Sequence, residues 1–136
     1  MRFLVCAFAA TLCMTSTDVR ADDAAVKGTF IGQGTYATAE GCKKLAAIAA
    51  GGDENVGTVP ETLTEDGFDS WEGSCAFVSV SEVAAGKKWK AQMQCVEGAE
   101  EVEETDLFER LSDGTLKVTQ DDHVTVLQRC DTAKGN

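Results

Sequence analysis

Residues 70–97 read SWEGSCAFVSVSEVAAGKKWKAQMQCVE and hold both tryptophans and two of the six cysteines. Successive side chains of an extended strand point to opposite faces. On the return half, Trp89, Ala91, Met93 and Cys95 therefore share one face, and Lys88, Lys90, Gln92 and Gln94 share the other. Such a period of two marks a half-buried strand. The outgoing half places Trp71, Gly73, Cys75, Phe77 and Ser79 on a single face. If Cys75 sits opposite Cys95, Phe77 meets Met93 and Ser79 meets Ala91, with 82–86 as the connecting loop. That register predicts a β-hairpin with both tryptophans on the core side.

Outward from this hairpin the chain keeps to short extended runs. Residues 28–37 set β-branched and aromatic residues among glycines and read as a first strand. Thr38 can cap a helix over 39–50, whose Cys42, Leu45, Ala46 and Ala49 fall on one face before the Gly51-Gly52 stop. Pro60 opens a second strand, and Asp66-Gly67 is a tight-turn signal. After the hairpin, the acidic run between Glu97 and Glu104 is expected to be a solvated loop. Strands over 105–111, 115–119 and 124–130 follow, separated by turns at Asp113-Gly114 and Asp121-Asp122. The expected fold is mainly β, an antiparallel meander of about seven strands. Its edges and apolar face would be hidden by curling into a small barrel or folding over as a sandwich, with the one short helix plugging an end.

The first 21 residues stand apart. A basic start at Arg2 and an apolar run over 3–14, too short to span a bilayer, lead to Val19-Arg20-Ala21. This is the pattern of a signal peptide cleaved between Ala21 and Asp22, which predicts a periplasmic or secreted product. Removing 21 of the 136 residues leaves a single domain of 115, and losing Arg2, Arg20 and Asp18 takes the net charge from −11 to −12. A surface this acidic repels nucleic acid and anionic headgroups and attracts a basic protein or peptide. Nothing in the domain is long and apolar enough for a membrane-spanning helix.

Cys42, Cys75, Cys95 and Cys130 remain after cleavage. In an exported chain of this size an even count reads as two disulfides. Of the three connectivities open to four cysteines, alternating strand direction favours Cys42 with Cys130 and Cys75 with Cys95.

Catalytic and cofactor patterns are not met. His123 is the sole histidine and sits in a turn beside Asp121 and Asp122, where solvation is the ordinary role. There is no Cys-x-x-Cys, so neither a structural zinc site nor a thioredoxin-type centre is spelled out. The runs at 53–55 and 66–69 fail the alternating-oxygen pattern of a calcium loop, and Gly28, Gly32 and Gly34 lack what a phosphate or dinucleotide loop requires. No catalytic, cofactor or metal residue is therefore assigned.

The Gly34-Thr35-Tyr36-Ala37 run before Cys42, the Glu72-Gly73-Ser74-Cys75 stretch after an aromatic, the Trp89-to-Cys95 strand and the closing Gln128-Arg129-Cys130 resemble a group of small secreted proteins of alphaproteobacteria. That resemblance covers nearly the whole domain and implies a periplasmic address without an activity. In size, export and bridging the chain also resembles the periplasmic c-type lysozyme inhibitors. Their Ser-Gly-x-x-Tyr loop is only echoed by Gly32-Gln33-Gly34-Thr35-Tyr36, so no functional residue transfers. The resulting expectation is a non-enzymatic binding or inhibitor-like module for a basic partner. Two alternatives stand beside it: an envelope hydrolase using acids near Glu72 or between Glu97 and Glu104, and a purely structural or stress-related envelope protein.

Overall fold

The computed structural model describes residues 25–52 and 59–130. The expected signal peptide with its Ala21–Asp22 junction, the run at 53–55 and the tail after Cys130 lie outside the described residues. The strands are β1 (Thr35–Ala37), β2 (Thr62–Thr64), β3 (Gly67–Asp69), β4 (Gly73–Ala84), β5 (Lys88–Glu97), β6 (Glu100–Arg110), β7 (Leu116–Gln120) and β8 (His123–Cys130), and the helix α1 (Ala39–Ala49) follows β1. Each strand pairs antiparallel with the next, and β1 closes on β8 through Thr35–Cys130, Tyr36–Arg129 and Ala37–Gln128. The fold is thus a closed antiparallel β-barrel with one helix and two disulfides.

The strand beyond the expected seven is β3, hidden in the sequence because Gly67-Phe68-Asp69 carries no alternation to read. An all-antiparallel meander closes on itself only with an even number of strands, so this short element is what lets the barrel shut without an edge.

Alternation along β5 holds as expected: Trp89, Ala91, Met93 and Cys95 are all buried. Phe77 faces Met93, but a bulge at Val78 shifts the register, so that Val80, not Ser79, faces Ala91. One extra residue flips the faces beyond it, and the flip turns an apolar side chain toward the core in place of a hydroxyl. Trp71 departs from expectation. It is 69% exposed, because β4 begins only at Gly73 and Ser70 closes a turn onto Gly73, its N–H donating to the Gly73 carbonyl at 2.9 Å. Strand phase does not extend through a turn. The acidic stretch is also corrected. The chain turns at Gly98-Ala99, and β6 takes up Glu100 to Arg110 as strand.

Residues 28–31, expected in the first strand, form a turn in which the Ile31 N–H donates to the Gly28 carbonyl at 2.9 Å. Phe30 from this turn stacks on Trp89 with centroids 4.8 Å apart and lies 5.1 Å from Phe108. Arg110 donates to the Phe30 carbonyl at 2.7 Å. This aromatic turn, and not the helix, plugs one end of the barrel. The helix lies on the outer face of β1: Tyr36 points into the core, yet its neighbour Ala37 is equally buried, because Gly41 packs directly over it. Gly41 is the only fully buried residue of α1, so the helix is held by its N-terminal turn.

That turn is capped by Thr38, whose hydroxyl accepts from the Gly41 N–H at 3.0 Å. Thr38→Ala is expected to lower stability by about 1 kcal/mol, seen as a lower urea midpoint at unchanged slope.

Candidate functional site

Opposite the plugged end the barrel is open and its lining is acidic. The inward face of β6 carries Glu104, Asp106 and Phe108 in succession, since they are spaced by two, and only Phe108 sits against the aromatic plug. Asp106 pairs across to Gln120 on β7, and Gln120 pairs to His123 on β8. Glu61 enters from the residue before β2, and Glu97 from the end of β5. Together these side chains, with Thr125, line a cavity of about 160 Å³ whose inner wall is Phe68, Cys75, Val118 and Leu127. It is far larger than the ~10–15 Å³ that a single water needs.

Asp106 is the centre of this mouth. It is 2% exposed, the one buried charged residue among the described residues, and its Oδ1 has no hydrogen-bond partner. Loss of water pushes its carboxyl up to about 6, and the nearby carboxylates of Glu104, Glu61 and Asp121 push in the same direction. Glu61 at the rim is raised as well, by partial loss of water first and then by Glu104. Glu104 is held in place: the Gln120 side-chain amide donates to its Oε2, which also lies 3.4 Å from Cys95 Sγ.

No lysine or arginine lines the cavity among the described residues. Ion pairs gather instead at the plugged end. Lys88 and Lys117 flank Glu109 at 3.7 and 2.7 Å, and Lys27 joins Asp66 in the turn whose Glu65 carbonyl accepts from the Gly28 N–H. Among the described residues, then, these paired charges lie at one end of the barrel, and the cavity at the other is lined by carboxylates without a lysine or arginine.

Cys42 is joined to Cys130 and Cys75 to Cys95. The pairing is the one expected, although the parity argument behind it used seven strands instead of eight. Cys42 reaches Cys130 because α1 lies along the β1–β8 seam, its Sγ 3.7 Å from the Gln128 carbonyl oxygen. Among the described residues the one trio of His, Cys, Asp or Glu donor atoms within 4.8 Å of one another is Cys75, Cys95 and Glu104. Its two sulfurs are bonded to each other and so present no thiolate to a metal.

Compared with protein-family models, curated proteins and solved structures, the chain gives no significant match to any of them. What the site does must be read from its own residues.

Of the acids singled out in the sequence, Glu97 and Glu104 are brought into the mouth. Glu72 stays outside it, exposed in the turn before β4. His123 opens β8 at the rim. Asp106 and Glu61 were missed. The signal for Asp106 was its place two residues before Phe108: once Phe108 is assigned inward, Asp106 must be inward too.

Proposed function

We propose that the chain is a non-enzymatic binding module of the cell envelope that takes a lysine or arginine side chain of a basic protein or peptide into its acidic barrel mouth. The observation that carries the reading is Asp106, a buried carboxylate whose Oδ1 is without a partner and which borders a cavity with Glu61, Glu97 and Glu104 around it. Buried charges are ordinarily paired, since an unpaired one costs several kcal/mol. A cationic group supplies the missing donor and offsets the crowding of like charges. The three carboxylates Glu61, Glu104 and Asp106 do not converge within 4.8 Å, a spacing that suits an ammonium or guanidinium with donors in several directions better than a bare ion. The apolar inner wall suits the aliphatic stem of such a side chain. An overall charge of −11 would steer a basic partner inward.

The test is calorimetric titration of the purified chain with lysine- and arginine-containing peptides at low and at physiological ionic strength. Affinity is expected to fall as salt rises, and Glu104→Gln is expected to weaken binding by roughly tenfold, the worth of one charge-assisted hydrogen bond. Salt-independent binding, or none, would refute the reading.

A second reading has one observation in its favour. Burial pushes the Asp106 carboxyl up to about 6, with Glu104 beside it, and a carboxyl that keeps its proton above the ordinary range is what the general acid of a carboxylate hydrolase requires. A blind cavity of side-chain size favours capture over cleavage of a polymer. Turnover of an envelope polysaccharide or peptide that disappears in Glu104→Gln would reverse that preference.

A further inference from the structure

Glu61 borders a second hollow besides the mouth. Outside the rim, a surface depression of about 350 Å³ is lined by Val59, Pro60, Glu61, Ser70, Trp71 and Glu72. Trp71 is 69% exposed and Val59 49% exposed, and Asp69 edges the far side of the indole. A large apolar ring left in water and surrounded by acids is the reverse of how a soluble chain treats a tryptophan it needs only for packing. Trp89, stacked on Phe30 in the core, shows the ordinary use.

The shelf is also built rigidly. The Gly73 N–H donates to the Ser70 hydroxyl at 3.2 Å, alongside the Ser70-to-Gly73 backbone bond at 2.9 Å. A Cβ at Gly73 would lie 2.1 Å from the Val96 carbonyl oxygen, so β4 and β5 approach there as closely as glycine permits. The turn that carries Trp71 is thereby fixed to the strand that carries Cys75 and leads into the mouth.

We infer that the Trp71 shelf and the acidic mouth form one recognition surface, which seats a basic residue of an extended peptide in the mouth and an aromatic residue two positions along on Trp71. The inference rests on the proposed function above and specifies its partner. Charge complementarity selects the basic residue: Glu61 is shared by both hollows, and Glu72 and Asp69 flank the ring. Because Glu61 borders both hollows they adjoin, and an interval of two is the shortest at which an extended segment presents two side chains on the same side. The indole face supplies the aromatic contact.

The probes are acetyl-Lys-Gly-Phe-amide and acetyl-Lys-Gly-Gly-amide, titrated against the full chain by calorimetry, with tryptophan fluorescence as a second readout. Trp89 is buried and lines neither hollow, so a fluorescence change on binding that is lost in Trp71→Ala reports Trp71. The phenylalanine peptide is expected to bind about fivefold more tightly, as an aromatic pair is worth roughly that factor. Trp71→Ala should abolish the preference while leaving the glycine peptide unchanged, and Trp71→Phe should keep most of it. Equal affinity of the two peptides for the native chain would overturn the shelf and leave the mouth standing. A preference that persists in Trp71→Ala, or equal weakening of both peptides by that change, would also overturn it. Failure of both peptides to bind would remove the mouth reading and the shelf with it.

Discussion

Asp106→Asn is expected to make the folded protein more stable at neutral pH by about 1–2 kcal/mol and to weaken capture of a cationic side chain by tenfold or more. The two effects share one cause. In the folded chain this carboxyl holds its proton up to a pH of about 6, against an ordinary 3.8, because burial and the neighbouring Glu104, Glu61 and Asp121 disfavour the charge. The folded state therefore binds the proton more tightly than the unfolded state. Stability from this group is full below the unfolded value, declines as pH rises between about 4 and 6, and is absent at 7. A tenfold difference in proton affinity between the two states corresponds to about 1.4 kcal/mol, and solvent entering the mouth reduces the total to the figure given. Urea unfolding at a pH of about 4.5 and again at about 7.5 should show the native chain losing stability over that interval relative to Asp106→Asn. A bound cation reverses the balance by favouring the charged carboxylate, so affinity should rise as pH rises through about 6. If the asparagine variant is less stable at both pH values and binds lysine peptides as before, Asp106 is a structural residue and the mouth is not a cation site.

A buried carboxyl that weakens the fold is also where sequence reading fails for physical reasons. The β5 alternation was legible because Trp89, Ala91, Met93 and Cys95 obey the pleat without interruption, and the cysteine count fixed two bridges. The short β3 was not legible, since three residues cannot establish a period. Trp71 was misplaced because a Ser70–Gly73 turn resets the phase that its neighbours in β4 follow. Glu104 reads in the sequence as part of a solvated acidic run, and Asp106 as an unremarked member of the strand that follows it. A run of acids reads as solvated surface, and only the closure of the barrel, with Phe108 in its core, shows that Glu104 and Asp106 turn inward with it while Glu100 and Val102 stay exposed. Local patterning identifies what is buried for stability. A charged residue buried at the mouth, Asp106, breaks that pattern.

Replacing both Cys42 and Cys130 with alanine is expected to cost about 4 kcal/mol, more than the loss from the corresponding change at Cys75 and Cys95. The first pair closes a span of 88 residues and the second a span of 20, which by chain entropy alone are worth about 4.5 and 3 kcal/mol. Placement widens the difference. Cys75 and Cys95 lie in a hairpin whose strands pair at ten positions, so those residues stay close without the bridge and their removal should cost about 2 kcal/mol. Cys42 and Cys130 secure the seam between β1 and β8, which is held by three register pairs and the buried first turn of α1. A domain of this size has about 5–15 kcal/mol of stability to lose, so the seam variant should melt well below the native chain and show early hydrogen exchange in β1 and β8, while the hairpin variant keeps its barrel closed. Because Cys75 forms part of the cavity wall and Cys95 Sγ lies 3.4 Å from Glu104, the hairpin variant should instead show its larger change in affinity for lysine peptides. Equal destabilisation by the two double replacements would mean that the barrel is held by its long hairpin, and that the seam can open without unfolding the rest.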